Sequence, residues 1–177
     1  MKKSSLIAFA LVLGLMLSCS AARAEWSVNF AGGRGNNDST TFDPYVQYTF
    51  NPWVESENFE LSPFVTGGLT FWDENETSDS VWGILASLGL RLAYTGANVR
   101  PYLALNAGPT YISQKQFVTR DLGGHFLFNT RVMLGLGFGE DYRHNFSAHG
   151  THYSNARTQN ENDGFNTFGL AYGYSFY

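Results

Sequence analysis

The sequence predicts an all-β protein: an eight-stranded antiparallel up-and-down β-barrel that crosses the outer membrane with its strands. Three observations carry that prediction. Beyond its N-terminal leader the chain alternates apolar and polar residues with a period of two, the mark of strands with two unlike faces. Aromatics reach 16% and glycines number 19 in 177 residues, which is the habit of barrels with aromatic girdles and close-packed strands. In the last strand, Phe168, Leu170, Tyr172, Tyr174 and Phe176 share one face, while Gly169, Ala171, Gly173 and Ser175 share the other. A soluble sandwich with a buried aromatic face would alternate in the same way. The small-residue face suits a narrow lumen and the aromatic face suits lipid, so the barrel is preferred. The aromatic terminus, Tyr177, matches the ending that barrel-assembly machinery reads in bacterial outer-membrane proteins.

The leader comes first. Lys2 and Lys3 precede an apolar run from Leu6 to Leu17, and Ala22-Arg23-Ala24 supplies a small-x-small cleavage site. The run is shorter than the roughly 20 residues a spanning helix needs. Residues 1–24 are therefore expected to be a cleaved signal peptide, and 25–177 the outer-membrane β-barrel domain. Acylation of Cys19 is the weaker alternative, because Met16-Leu17-Ser18 is a poor lead-in to a lipidated cysteine. Cys19 is the only cysteine, so the mature chain has no disulfide and must rely on hydrogen bonds and packing.

Eight strands are expected near 26–34, 43–50, 59–72, 81–94, 99–111, 124–138, 143–154 and 165–177. Turn-rich stretches separate them, among them Gly35-Asn36-Asn37-Asp38-Ser39 and Thr95-Gly96-Ala97-Asn98. An even strand number puts both termini in the periplasm. The outer loops are then 35–42, 73–80, 112–123 and 155–164, and the inner turns 51–58, 95–98 and 139–142. The 51–58 connection is long for an inner turn. Asp73, Glu74, Glu76 and Asp79 make one outer loop acidic, a pattern read as a solvated loop in preference to a cation site.

Without the leader, eight basic residues face fifteen acidic ones, a net charge of −7. Nucleic acid wants a concentrated basic surface, so it is excluded as a partner. Eight strands leave no open pore, which excludes a diffusion channel.

Strand seven carries the chemistry. His152 and Ser154 are two residues apart, so they share a strand face at about 7 Å between backbones. An imidazole within reach of a hydroxyl can take its proton as the oxygen attacks an ester carbonyl, then return it to the leaving alcohol. Asn145, Ser147, His149, Thr151 and Tyr153 form the opposite, more polar face and belong in the lumen. His152 and Ser154 therefore point to lipid, where polar groups are costly unless they act there. The strand runs outward, which puts the pair at the outer leaflet. A histidine anchoring the strand at the interface is the bland alternative.

His152-Tyr153-Ser154-Asn155-Ala156, followed by Asn162-Asp163-Gly164 and a final aromatic strand, resembles the PagL-type lipid A 3-O-deacylases. The likeness extends upstream through Arg100-Pro101-Tyr102, Gly108 and the strand with Phe126, Phe128, Arg131 and Gly135. The N-terminal half is similar in strand pattern alone. The resemblance implies an eight-stranded barrel that hydrolyses the ester holding the acyl chain at position 3 of lipid A. It implies a Ser–His–Glu triad on the outer face and no cofactor, with lipopolysaccharide as substrate. On the matching positions Ser154 is the nucleophile, His152 the base, and Asn155 an activity-critical residue shaping the oxyanion site or its loop. The family's acidic position falls on Asn166, which has the outward parity of Phe168. An asparagine oxygen can still fix the histidine tautomer but supplies no negative charge. Glu161 and Asp163 are the nearby carboxylates that could replace it. Arg157 stands where the family has glycine, either altering the oxyanion backbone or adding a phosphate contact.

A metal hydrolase is the weakest rival. His149 and His152 face opposite sides, His144 lies about 26 Å from His152 along the strand, and His125 is on another strand. No metal site is expected. The serious alternative is a non-enzymatic barrel with a structural or adhesive role, for which the missing glutamate speaks. A homodimer is left open.

Overall fold

The computed structural model describes residues 24–74 and 80–176. The leader up to Arg23, Glu76 and Asp79 of the acidic loop, and Tyr177 lie outside the described residues. Eight long strands form: β1 Glu25–Gly35, β2 Thr40–Thr49, β3 Phe59–Asp73, β4 Ser80–Tyr94, β5 Arg100–Ile112, β6 Phe126–Phe138, β7 His144–Ser154 and β8 Phe165–Phe176. Each pairs antiparallel with its neighbour in sequence, and β1 pairs with β8 from Trp26↔Phe176 to Gly35↔Thr167. The sheet thus closes into an up-and-down barrel and has no free long edge.

Two strand starts differ from expectation by more than one residue. Strand β2 starts at Thr40, because Thr40 and Thr41 extend the ladder onto Arg34 and Gly33 and onto Asp73 and Trp72. The first outer connection shrinks to a 3-10 turn, Asn36–Asp38, and Ser39. Strand β6 starts at Phe126, after Gly123 takes φ +76. The long 51–58 connection is folded back on itself: Val54–Glu55 pairs with Leu61 and Glu60 at the start of β3.

Alternation sorts the side chains as the period of two requires. Trp26, Phe30, Phe42, Phe71, Trp82, Phe126, Phe168 and Phe176 point outward. The lumen is filled by polar residues, chief among them an Arg131–Asp43 ion pair. Thr70 donates to Asp43 Oδ1 at 2.6 Å, Trp72 Nε1 donates to Thr70 at 2.8 Å, and Arg131 Nε donates to Thr151 Oγ1 at 2.8 Å. Closer to the periplasmic end Arg91 pairs with Glu25 at 3.2 Å. Buried charges are sustained only when paired and hydrogen-bonded in this way.

The outer end of the lumen is apolar. Trp72, Val81, Ile112, Phe117, Leu122, Leu127, Tyr153 and Phe165 form one buried cluster, with Trp72 4.4 Å from Phe165 and 4.9 Å from Tyr153 between ring centroids. Phe117 and Leu122 come from the third outer loop, whose small hairpin (Gln116–Phe117 with Arg120–Asp121) turns inward and plugs the barrel. No helix among the described residues is long and apolar enough to cross a membrane. The crossing is made by strands.

Candidate active site

The site is assembled at the end of the barrel away from the chain termini, where β7 ends and β8 begins. His152 and Asn166 are direct cross-strand partners, and so are Tyr153 and Phe165 one step further along. Tyr153 and Phe165 are both fully buried in the plug. With Thr151 fixed by Arg131 and Asn155 fully buried, every second residue of this stretch is anchored inside. His152 and Ser154 are thereby forced outward; His152 is exposed and Ser154 half-buried. The lumenal residues aim the exterior pair.

His152 Nδ1 lies 2.7 Å from Asn166 Oδ1. That contact makes Nδ1 the protonated nitrogen and leaves Nε2 as the acceptor, the tautomer needed by a base for a neighbouring hydroxyl. Asn166 is in turn held by its backbone N–H, which donates to Asn36 Oδ1 at 2.7 Å across the first outer connection. Gly164 closes the far side of the ring. It takes φ +63, and a Cβ there would stand 3.2 Å from His152 Cε1. Only glycine lets the returning loop pass this close in this conformation.

Neither alternative carboxylate reaches the histidine. Asp163 Oδ2 accepts from the Asp121 N–H at 2.8 Å, and Arg120 donates to the carbonyls of Asp163 and Gly164 at 3.1 Å each. These bonds tie the fourth outer loop to the third. Glu161 is exposed, and its carbonyl accepts from Asn155. Asn166 therefore holds the orienting position alone among the described residues.

Asn155 corrects the sequence reading in one respect. Its Nδ2 protons go to the Leu122 carbonyl at 3.0 Å and the Glu161 carbonyl at 2.5 Å, and its Oδ1 accepts the Arg157 N–H at 2.9 Å. Both amide protons are committed, so this side chain shapes the loop and has no donor to offer an oxyanion. The Asn155, Arg157 and Thr158 backbone N–H groups are committed too, to Asn162 Oδ1, Asn155 Oδ1 and the Asn155 carbonyl. Ala156 and Arg157 both adopt left-handed backbone, at φ 53 and 62. The second explains why glycine would suit that position.

Sequence reasoning missed the plug and the contacts that Asn36 and Gly164 make with the site. The Gly35–Ser39 stretch was visible as a turn signal and Gly164 as part of the family-like string, but their contacts with the site depend on barrel closure. Among the described residues no group of three or more His, Cys, Asp or Glu could hold a metal ion.

An eight-stranded barrel with a histidine, its orienting amide and a serine on its outer wall defines an outer-membrane protein with a surface-exposed site. The chain belongs to the lipid A 3-O-deacylase (PagL) family, whose model matches residues 39–175. It is 22% identical over 163 residues to the lipid A deacylase PagL of Pseudomonas aeruginosa, covering 91% of this chain and 93% of that protein. The crystal structure of the outer membrane enzyme PagL superposes with a TM-score of 0.77 at 20% identity, covering 84% of this chain and 98% of that one. Neisserial surface protein A gives a TM-score of 0.50 at 13% identity, over 86% and 97% of the two chains.

Proposed function

We propose that this protein is an ester hydrolase that removes the 3-O-linked acyl chain of lipid A at the outer leaflet, with Ser154 as nucleophile and His152 as general base. The observation that carries this reading is the 2.7 Å contact between His152 Nδ1 and Asn166 Oδ1, on the lipid side of the strand that also presents Ser154. A histidine that merely anchors a strand needs no partner fixing its tautomer. Family membership supplies the substrate class.

The reaction follows in two halves. Nε2 of His152 takes the Ser154 proton as Oγ bonds to the ester carbonyl carbon. The tetrahedral intermediate collapses, the bond to the sugar oxygen breaks, and His152 returns the proton to that oxygen. Water, activated by the same imidazole, then hydrolyses the acyl-serine to a free 3-hydroxy acid. We assign the developing oxyanion to the Ala156 N–H, the one backbone donor of the 155–158 turn with no bond recorded among the described residues. Asn166 orients the imidazole without neutralising it, so the imidazolium is less stabilised than beside a carboxylate. Residues 1–24 are proposed to be a signal peptide removed on export.

The experiment is direct. Purified protein folded in detergent, mixed with lipid A, should release a free 3-hydroxy fatty acid. Ser154→Ala protein of equal heat-modifiability should release none. Release that persists in Ser154→Ala would defeat the assignment.

A further inference from the structure

We propose that Arg34, on the lipid-facing wall beside the site, binds the phosphate carried by the same sugar as the ester that is cut. The protein then prefers lipid A phosphorylated at position 1. This rests on the deacylase reading above.

Arg34 stands apart from the other cations of the barrel wall. The eight long strands hold four arginines and no lysine. Arg91, Arg100 and Arg131 have lumenal parity, and they pair with the carboxylates of Glu25, Glu60 and Asp43 respectively. Arg34 has the outward parity of Trp26 and Phe30 and is exposed. It forms no ion pair among the described residues. Asp73 faces the same cross-strand row through Thr40, two strands away, and does not pair with it. A cation on the lipid side of a wall is costly and marks a function by default.

Register puts Arg34 next to the site. It pairs with Phe168 on β8, two residues along from Asn166, which is the cross-strand partner of His152. Arg34 and Asn166 are thus diagonal neighbours, about 7–8 Å apart. Arg34 is one residue from the end of β1 and Asn166 one residue from the start of β8, so both lie at the outer rim.

The first outer connection then shapes a donor set. Nη1 of Arg34 donates to the Asp38 carbonyl at 3.0 Å, which draws the long side chain along the wall toward the turn. The guanidinium has five N–H donors and uses one of them in this bond. The same turn presents Asn36, whose Oδ1 accepts the Asn166 N–H at 2.7 Å. With that oxygen committed, the Nδ2 protons of Asn36 have no acceptor among the described residues and can serve a ligand. A planar guanidinium fork and an amide carried by one tight turn suit a phosphate, whose oxygens accept bidentate and single bonds together.

The span selects which phosphate. Arg34 and Ser154 stand two inter-strand steps apart, roughly 10 Å across the sheet, and four residues out of step, about 13 Å along it. The Arg34 side chain points along that offset and covers about half of it. In the substrate, the ester at position 3 and the phosphate at position 1 hang from one ring with a single carbon between their attachment points. The phosphate at position 4′ is on the other sugar, farther from the ester. A headgroup phosphate also lies at the membrane surface, level with the rim where the guanidinium is held.

The test uses folded protein in zwitterionic mixed micelles with lipid A phosphorylated at positions 1 and 4′, at 1 alone, at 4′ alone, or at neither. The wild type should show about tenfold higher kcat/KM on the substrates with the 1-phosphate than on those without it. Arg34→Gln should raise KM about tenfold on the 1-phosphorylated substrates with kcat little changed, and should leave the other two as in the wild type. Arg34→Lys, which keeps the charge and loses the fork, should retain part of the preference. Arg34 also braces the turn that holds Asn36, and a purely structural role would lower kcat on all four substrates alike. That result overturns the phosphate assignment. So does a wild type indifferent to the 1-phosphate, or one whose preference follows the 4′-phosphate. A wild type that cleaves none of the four overturns the deacylase reading itself.

Discussion

His152 and Asn166 are cross-strand partners whose side chains meet at 2.7 Å on the lipid face of the barrel, directly opposite Tyr153 and Phe165 buried in its plug. The same register that seats two aromatic anchors inside seats His152 and Asn166 outside.

The orienting residue sets the rate. Asn166→Ala removes the acceptor that fixes the Nδ1–H tautomer and should lower kcat by about 10²-fold or more. Asn166→Glu keeps the acceptor and adds charge beside the imidazolium, and should raise kcat by several-fold to tenfold. Steady-state kinetics on the folded variants decides both. A fall in rate with glutamate would mean that this site is tuned for the amide.

Asn155 is expected to act through the loop. Asn155→Ala strands the buried Leu122 carbonyl and the partly buried Glu161 carbonyl and should cost about 2–4 kcal/mol locally, at about 1–3 kcal/mol per unsatisfied group. Asn155→Asp should fare no better, since it turns two donors into acceptors. Hydrogen exchange should show faster exchange across 112–125 and 155–164, with the transmembrane strands unchanged. Loss of activity with the loops still protected would point to a direct catalytic role.

Arg157 carries a left-handed backbone that disfavours any side chain. Arg157→Gly should stabilise the fourth outer loop by about 1 kcal/mol, detectable as slower loop proteolysis. A less stable loop would show that the guanidinium holds a contact worth more than the backbone penalty.

Asp43 neutralises Arg131 in the lumen, and Arg131 in turn holds Thr151 next to His152. Asp43→Ala should destabilise the barrel by about 3–5 kcal/mol by leaving a buried cation unpaired. Replacing both residues together, with Asp43→Leu and Arg131→Met, should recover much of that. Thermal unfolding followed by heat-modifiability on gels reports both.

The barrel was legible because a period of two runs through most of the strands, and because the last strand from Thr167 onward separates large apolar residues from small ones. The outward placement of His152 and Ser154 was legible for the same reason: parity alone sets the face. What parity cannot supply is the content of the loops. Whether Asn155 shapes the oxyanion site or its loop was not legible, because its partners, Leu122 and Glu161, lie 33 and 6 residues away in loops of no regular period. Asn36 reaches Asn166 only because β1 closes the barrel against β8, a pairing 130 residues long in sequence.

The central claim is that the exterior His152–Ser154 pair cleaves an ester of lipid A. Mass spectrometry of lipid A from cells expressing the protein tests it most directly. The expected result is loss of one 3-hydroxyacyl chain with the wild type, abolished by Ser154→Ala and by His152→Ala. Unaltered lipid A beside correctly inserted wild-type barrel would contradict it.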